Sequence, residues 1–156
     1  MNIAEIWKIE DVTNFITALH EHVCDKCWAN GDEANLDALT EAERTLYITT
    51  VLEAEVNNGG FDQYFFNSSG NSANEAAEEF RKIGAFRIAE ICEKAVSVFG
   101  GKVPVDWEER QERLEELDED MLEEVLGECD DAFYEYEDDL DALRYAYVMK
   151  HREQFD

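Results

Sequence analysis

Basic residues are scarce in this chain. Its 156 residues include 13 lysines and arginines against 39 aspartates and glutamates, a formal net charge of −26. A surface of that sign repels bare nucleic acid, anionic membrane and phosphorylated substrates, so none of these is expected as a direct ligand. Proline is nearly absent, with Pro104 alone beside eight glycines. Long stretches are therefore free to be helical. No apolar run reaches the roughly 20 residues needed to cross a bilayer. Met1 to Glu10 lacks the basic start and apolar stretch of a signal peptide, so a cytoplasmic location is expected, with the four cysteines as reduced thiols. Also missing are a Gly-x-Ser-x-Gly elbow, a phosphate-binding glycine loop and a twelve-residue calcium loop. Neither catalytic residues nor a cofactor is expected, and the chain reads as a non-enzyme.

What is present is apolar material. Hydrophobic residues make up 45% and aromatic residues 12% of the chain. That is enough for a real core, and it separates this acidic chain from disordered acidic tails, which lack aromatics. Phe133, Tyr134 and Tyr136, set among carboxylates, read as core anchors.

Apolar positions recur at helical spacing almost throughout. Val12, Phe15, Ile16, Leu19, Val23 and Cys27 predict a helix over roughly 11–28. Thr40-Glu41-Ala42-Glu43 reads as a capping box opening a second helix, which Asn57-Asn58-Gly59-Gly60 should stop. A short helix is expected over Phe61 to Asn67. Ser72-Ala73-Asn74-Glu75 reads as another capping box, with its helix ending at Gly84. Phe86 to Phe99 forms a helix closed by Gly100-Gly101, and a last helix is expected from Asp138 to Gln154. No stretch alternates convincingly at strand period. The expectation is an all-α fold, one compact multi-helix domain over 1–156, with its most acidic helices in 106–141.

In that acidic third, 19 of the 36 residues from Asp106 to Asp141 are Asp or Glu, against Arg110 and Arg113. A single helix over 106–125 would place Trp107, Leu117, Met121 and Val125 within about 60° of Leu114. Glu108, Glu112, Glu115, Glu116, Glu119 and Glu123 would lie opposite, at about 100–200°. Only the two arginines are at hand to relieve the repulsion, which costs roughly 0.2–0.5 kcal/mol per i,i+4 pair. Asp130, Asp131, Asp138 and Asp139 extend the row. One reading is a solvated face that keeps the protein soluble. The other is that carboxylates at i, i+3 and i+4 stand in for phosphates and occupy a basic partner.

His20, Cys24 and Cys27 share one side of the first helix, so a metal site is geometrically conceivable. A second ligand pair is missing, and Cys27 continues the apolar stripe, so small buried hydrophobes are the preferred reading.

The second distinctive segment runs Asn57-Asn58-Gly59-Gly60-Phe61-Asp62-Gln63-Tyr64-Phe65-Phe66-Asn67-Ser68-Ser69-Gly70. It reads as two glycine turns around an aromatic plug, with Gln63, Tyr64 and Asn67 able to form a polar cluster at its edge. Together with Leu46-Tyr47 and Glu53-Ala54-Glu55-Val56 before it, and the helix 72–99 after it, it resembles the DMP-type DNA-mimic family of small bacterial domains. Asn57, Asn58, Gly59, Gly60, Phe61, Gln63, Tyr64, Asn67 and Gly70 carry the resemblance. It implies an all-helical fold, a homodimer and no assigned enzymatic activity. For the DMP-type member it implies that carboxylates imitate DNA and occupy a transcription factor.

The expected function is accordingly a decoy that binds a basic DNA-binding protein through 106–141. The alternatives are an immunity-type protein that neutralises a basic toxin such as a nuclease, and a small-ligand module built on the Gln63–Asn67 cluster.

Overall fold

The computed structural model describes residues 1–156, and every regular element in it is helical. Eight α-helices follow in chain order. They are α1 (Ile3–Ile6), α2 (Val12–Cys27), α3 (Glu41–Phe66), α4 (Ala73–Lys82), α5 (Phe86–Val96), α6 (Trp107–Glu116), α7 (Glu119–Tyr134) and α8 (Leu140–Lys150). Short 3-10 turns occupy Leu36–Ala38, Ser68–Ser72, Ser97–Phe99 and Arg152–Gln154. No helix is long and apolar enough to cross a membrane.

The caps explain most of the boundaries. Asp11 accepts the Asn14 amide at 2.8 Å and starts α2, which buries Phe15, Ile16, Leu19, Val23 and Cys27. Thr40 and Glu43 form the expected reciprocal box at the head of α3. Helical geometry breaks where the asparagine–glycine run predicts it, at Gly59 and at Gly60, but the path resumes at once and carries the chain on to Phe66. The terminator and the short aromatic helix are therefore fused into one kinked α3. Gly100, at φ 72°, closes the turn after α5.

Two expectations give way. The Ser72 box does not form. Ser72 ends a 3-10 turn with near-helical dihedrals, so its hydroxyl cannot fold back on the first turn of α4. Asn74 instead binds Val103 through both its amide groups, and Glu75 takes Arg44 at 2.5 Å. The helix over 106–125 is likewise two helices. Leu117 is extended, and Asp118 caps α7 by accepting the Met121 amide at 2.9 Å.

Kinked α3 lies at the centre and touches α2, α4, α6 and α7. Helices α4 and α5 pair closely, α5 packs on α7, and α8 packs on α2. One cluster of 34 buried apolar residues runs through the whole assembly. Phe133 belongs to it, but Tyr134 and Tyr136 are 47% and 38% exposed. Their hydroxyls need polar partners that the apolar core lacks: Tyr134 reaches inward to donate to the Val56 carbonyl, and Tyr136 donates to Glu53.

Candidate functional site

The asparagine–glycine segment is tied to α6, to α7 and to the middle of α3 by side-chain hydrogen bonds. Gly60 has φ 74° and ψ −176°, a region essentially closed to side-chain-bearing residues. The Asp130 carboxylate lies where a Cβ at Gly60 would point, and its Oδ1 accepts the Phe61 amide at 2.8 Å. Burial raises the Asp130 pKa from its ordinary value, and the Phe61 amide pulls the other way. Downstream, Asn58 donates to Gln63, and both Gln63 and Asn67 donate to Glu55 Oε2, at 3.0 and 2.9 Å. Asn57 donates to the Tyr136 hydroxyl at 2.7 Å. Phe61, Tyr64 and Phe65 form the buried plug.

Arg110 locks this segment to α6. It is 0% exposed, and all five of its N–H donors are used on uncharged acceptors. They reach the carbonyls of Phe65, Asn67, Pro104 and Val105, and Oδ1 of Asn71, at 2.7 to 3.1 Å. Burial lowers its pKa from the usual arginine value. Gly70 is required here by close approach, since a Cβ would sit 2.6 Å from the Tyr64 carbonyl and 3.0 Å from Arg110 Nε. Arg110 therefore lends no relief to the acidic surface, contrary to the sequence expectation. A helical wheel carries the signal: Arg110 falls about 40° from Leu114, on the apolar side. Arg144 follows the same pattern, in register with buried Leu140 and Val148 on α8, where it donates to Thr49 and Glu53.

The surface above is almost purely anionic. Glu108, Glu112, Glu115 and Glu116 on α6, with Glu119, Glu123 and Asp131 on α7, are exposed. Glu109, Asp120 and Glu124 join them. The cation on this face is Arg113, 3.7 Å from Glu116. Five exposed glutamates over the ten residues of α6 amount to one charge per about 3 Å of axis, close to the about 3.4 Å per phosphate along one DNA strand. The remaining three of the ten partner candidates have duties inside the fold. Asp130 clips Gly60 and Phe61, Asp138 accepts the Ile88 amide at 2.9 Å, and Asp139 caps α8.

Two hollows adjoin this surface. An open trough of about 520 Å³ is lined by Phe66, Leu114 and Leu122, with Asp62, Gln63 and Glu115 beside them. Phe66 is 56% exposed. A second cavity, of about 450 Å³, lies between the loop after α2, the middle of α3, the turn at Ser68–Ser72 and Trp107.

The His20 cluster takes a different form. His20 Nε2 lies 3.3 Å from Cys24 Sγ, and Cys27 is buried. Burial, with Arg144 adding, lowers the His20 pKa to about 4, and burial first raises that of Cys24 to about 11. No group of three histidines, cysteines or carboxylates converges anywhere in a way that could hold a metal ion.

Comparison with curated proteins and with solved structures gave no match. The family model described as DMP19-like protein matches residues 37–151, which runs from the turn before α3 to the end of α8 and takes in the kinked plug, Arg110 and the anionic surface. The chain belongs to the DMP19-like protein family.

Proposed function

We propose that this protein is a non-enzymatic decoy that occupies the DNA-binding face of a basic protein, in the manner of a DNA mimic. The observation that carries the reading is the exposed carboxylate surface of α6 and α7, in which one arginine faces ten acids. Isolated like charges at i,i+4 cost stability, so a surface built for the fold alone would intersperse both signs. Family membership supports the same reading. The Phe66 trough favours a protein partner over mere solubility, because a solubilising surface has no use for an exposed apolar hollow, whereas interfaces centre on one. The partner is a DNA-binding protein whose lysines and arginines meet Glu108, Glu112, Glu115, Glu116, Glu119 and Glu123.

The test is capture of the partner at low salt on the tagged protein. The partner should be released by a salt step, and also by the DNA site it normally binds. Joint replacement Glu108→Lys, Glu112→Lys, Glu115→Lys and Glu119→Lys should abolish capture while the far-ultraviolet circular dichroism stays helical. Undiminished capture by that folded variant would end the decoy reading.

A further inference from the structure

The 450 Å³ cavity has walls of an unusual kind for so acidic a molecule. Trp28 and Trp107 line it from positions 79 residues apart and are 40% and 43% exposed, with Tyr47 also in the wall. Its charged lining is Asp32, Glu33 and Glu55, and no lysine, arginine or histidine lines it. The volume is that of an ordinary small-molecule pocket.

The hydrogen bonds decide what the tryptophans can still do. Trp28 Nε1–H donates to the Tyr47 hydroxyl at 3.2 Å, and Trp107 Nε1–H to the Phe66 carbonyl at 2.7 Å. With both indole donors spent inside the protein, the rings can offer a ligand only their faces. Those faces carry the negative end of the ring quadrupole and attract cations. Asp32 and Glu33 make no hydrogen bond or ion pair, so their charge is uncompensated. Glu55 is held in place by Gln63 and Asn67 through one oxygen, Oε2. An anion is repelled from such a lining. A metal ion finds no converging ligand set. The molecule uses the same chemistry internally, where the Arg152 guanidinium stands 4.3 Å from the ring centre of Trp7.

We propose that this cavity is a binding site for an organic cation, a guanidinium or alkylammonium group, held between the faces of Trp28 and Trp107 and neutralised by Asp32, Glu33 and Glu55. The site borders the decoy surface, since Trp107 opens α6, but it is read out with a free cation and the isolated protein, so its test does not depend on a partner docking on α6 and α7.

The probe is agmatine, titrated at constant ionic strength into nitrogen-15-labelled protein, with the three indole N–H signals as readout. Trp28 and Trp107 should shift saturably, while Trp7, already covered by Arg152, stays put. Asp32→Asn combined with Glu33→Gln touches two exposed loop residues that bond to nothing, so it keeps the fold, and it should weaken binding about fivefold. Trp107→Leu should weaken it about tenfold or more. N-acetyl-arginine amide, titrated alongside, separates the two sources of the cation. Tighter binding of the amide marks a receptor for a protein's arginine, tighter binding of agmatine a receptor for a free small cation, and either upholds the site. No saturable shift up to about 10 mM, the same shift with sodium acetate, or full affinity in the Asp32→Asn, Glu33→Gln protein overturns it.

Discussion

Arg110 is surrounded by acidic sequence and yet touches no carboxylate. Its guanidinium serves as a rivet whose acceptors come from the end of α3, the Ser68–Ser72 turn and the Pro104–Val105 strap. Removing such a group exposes no new charge but leaves four carbonyls, that of Phe65 buried and the others partly so, and one amide oxygen without this donor. Arg110→Leu should therefore cost about 3–5 kcal/mol of unfolding free energy in urea titration, whereas Arg113→Leu, whose ion pair is partly exposed, should cost under about 1 kcal/mol. Equal, small losses at both positions would contradict the rivet. Of the charges in this region, the arginine that supports the acidic surface does so from beneath, through geometry rather than attraction.

At the scale of elements, caps distinguish the boundaries that hold from those that do not. Asp118 starts α7 by accepting the Met121 amide, so Asp118→Ala should destabilise the protein by about 1 kcal/mol. Ser72, whose hydroxyl makes no cap bond, should tolerate Ser72→Ala within about 0.5 kcal/mol. Matching losses in thermal melts would refute the distinction. The same contrast shows what could be read from the chain in advance. Thr40 with Glu43 and Gly100 after Phe99 are local signals, and each acts locally in the fold. Asp118 is a cap hidden in plain view, because in a run of 19 acids one more aspartate does not stand out. Ser72 failed for a different reason: the turn that delivers it is set by Arg110 and Asn71, 39 residues apart. Seven of the ten acids picked out from the sequence lie on the exposed surface of α6 and α7, and Asp130, Asp138 and Asp139 serve the fold instead. The cavity was not legible at all, since Trp28, Glu55 and Trp107 meet only through the tertiary fold.

For the whole molecule, a net charge of −26 means that folding confines mutually repelling groups. The burial of Arg110 and Arg144 sharpens this, for two of the few cations are withdrawn from the surface. Raising ionic strength from about 0.01 M to about 0.15 M shortens the Debye length from about 30 Å to about 8 Å. The melting temperature of the free protein should rise by about 2–4 °C over that range, a gain of about 1 kcal/mol. The complex proposed above, with a basic partner, should respond in the opposite sense and weaken as salt is added. A melting temperature indifferent to salt would show that the carboxylates are already accommodated and that self-repulsion is not a term in the stability of the fold.

For the decoy role proposed above, the riveted geometry has a consequence for how quickly and how cheaply a partner would be met. Nucleic acid is a stiff polymer whose charges keep their spacing, and a substitute made of loose side chains on a mobile helix would have to be ordered at each encounter. Here Arg110 fixes α6 to the kinked plug, and Asp130 fixes α7 to the same plug at Gly60 and Phe61. The two charged helices are thus set in relation to each other before any collision. Association of the proposed kind would then spend little of its driving force on lost backbone freedom, and long-range attraction would act on a surface that already has its final shape.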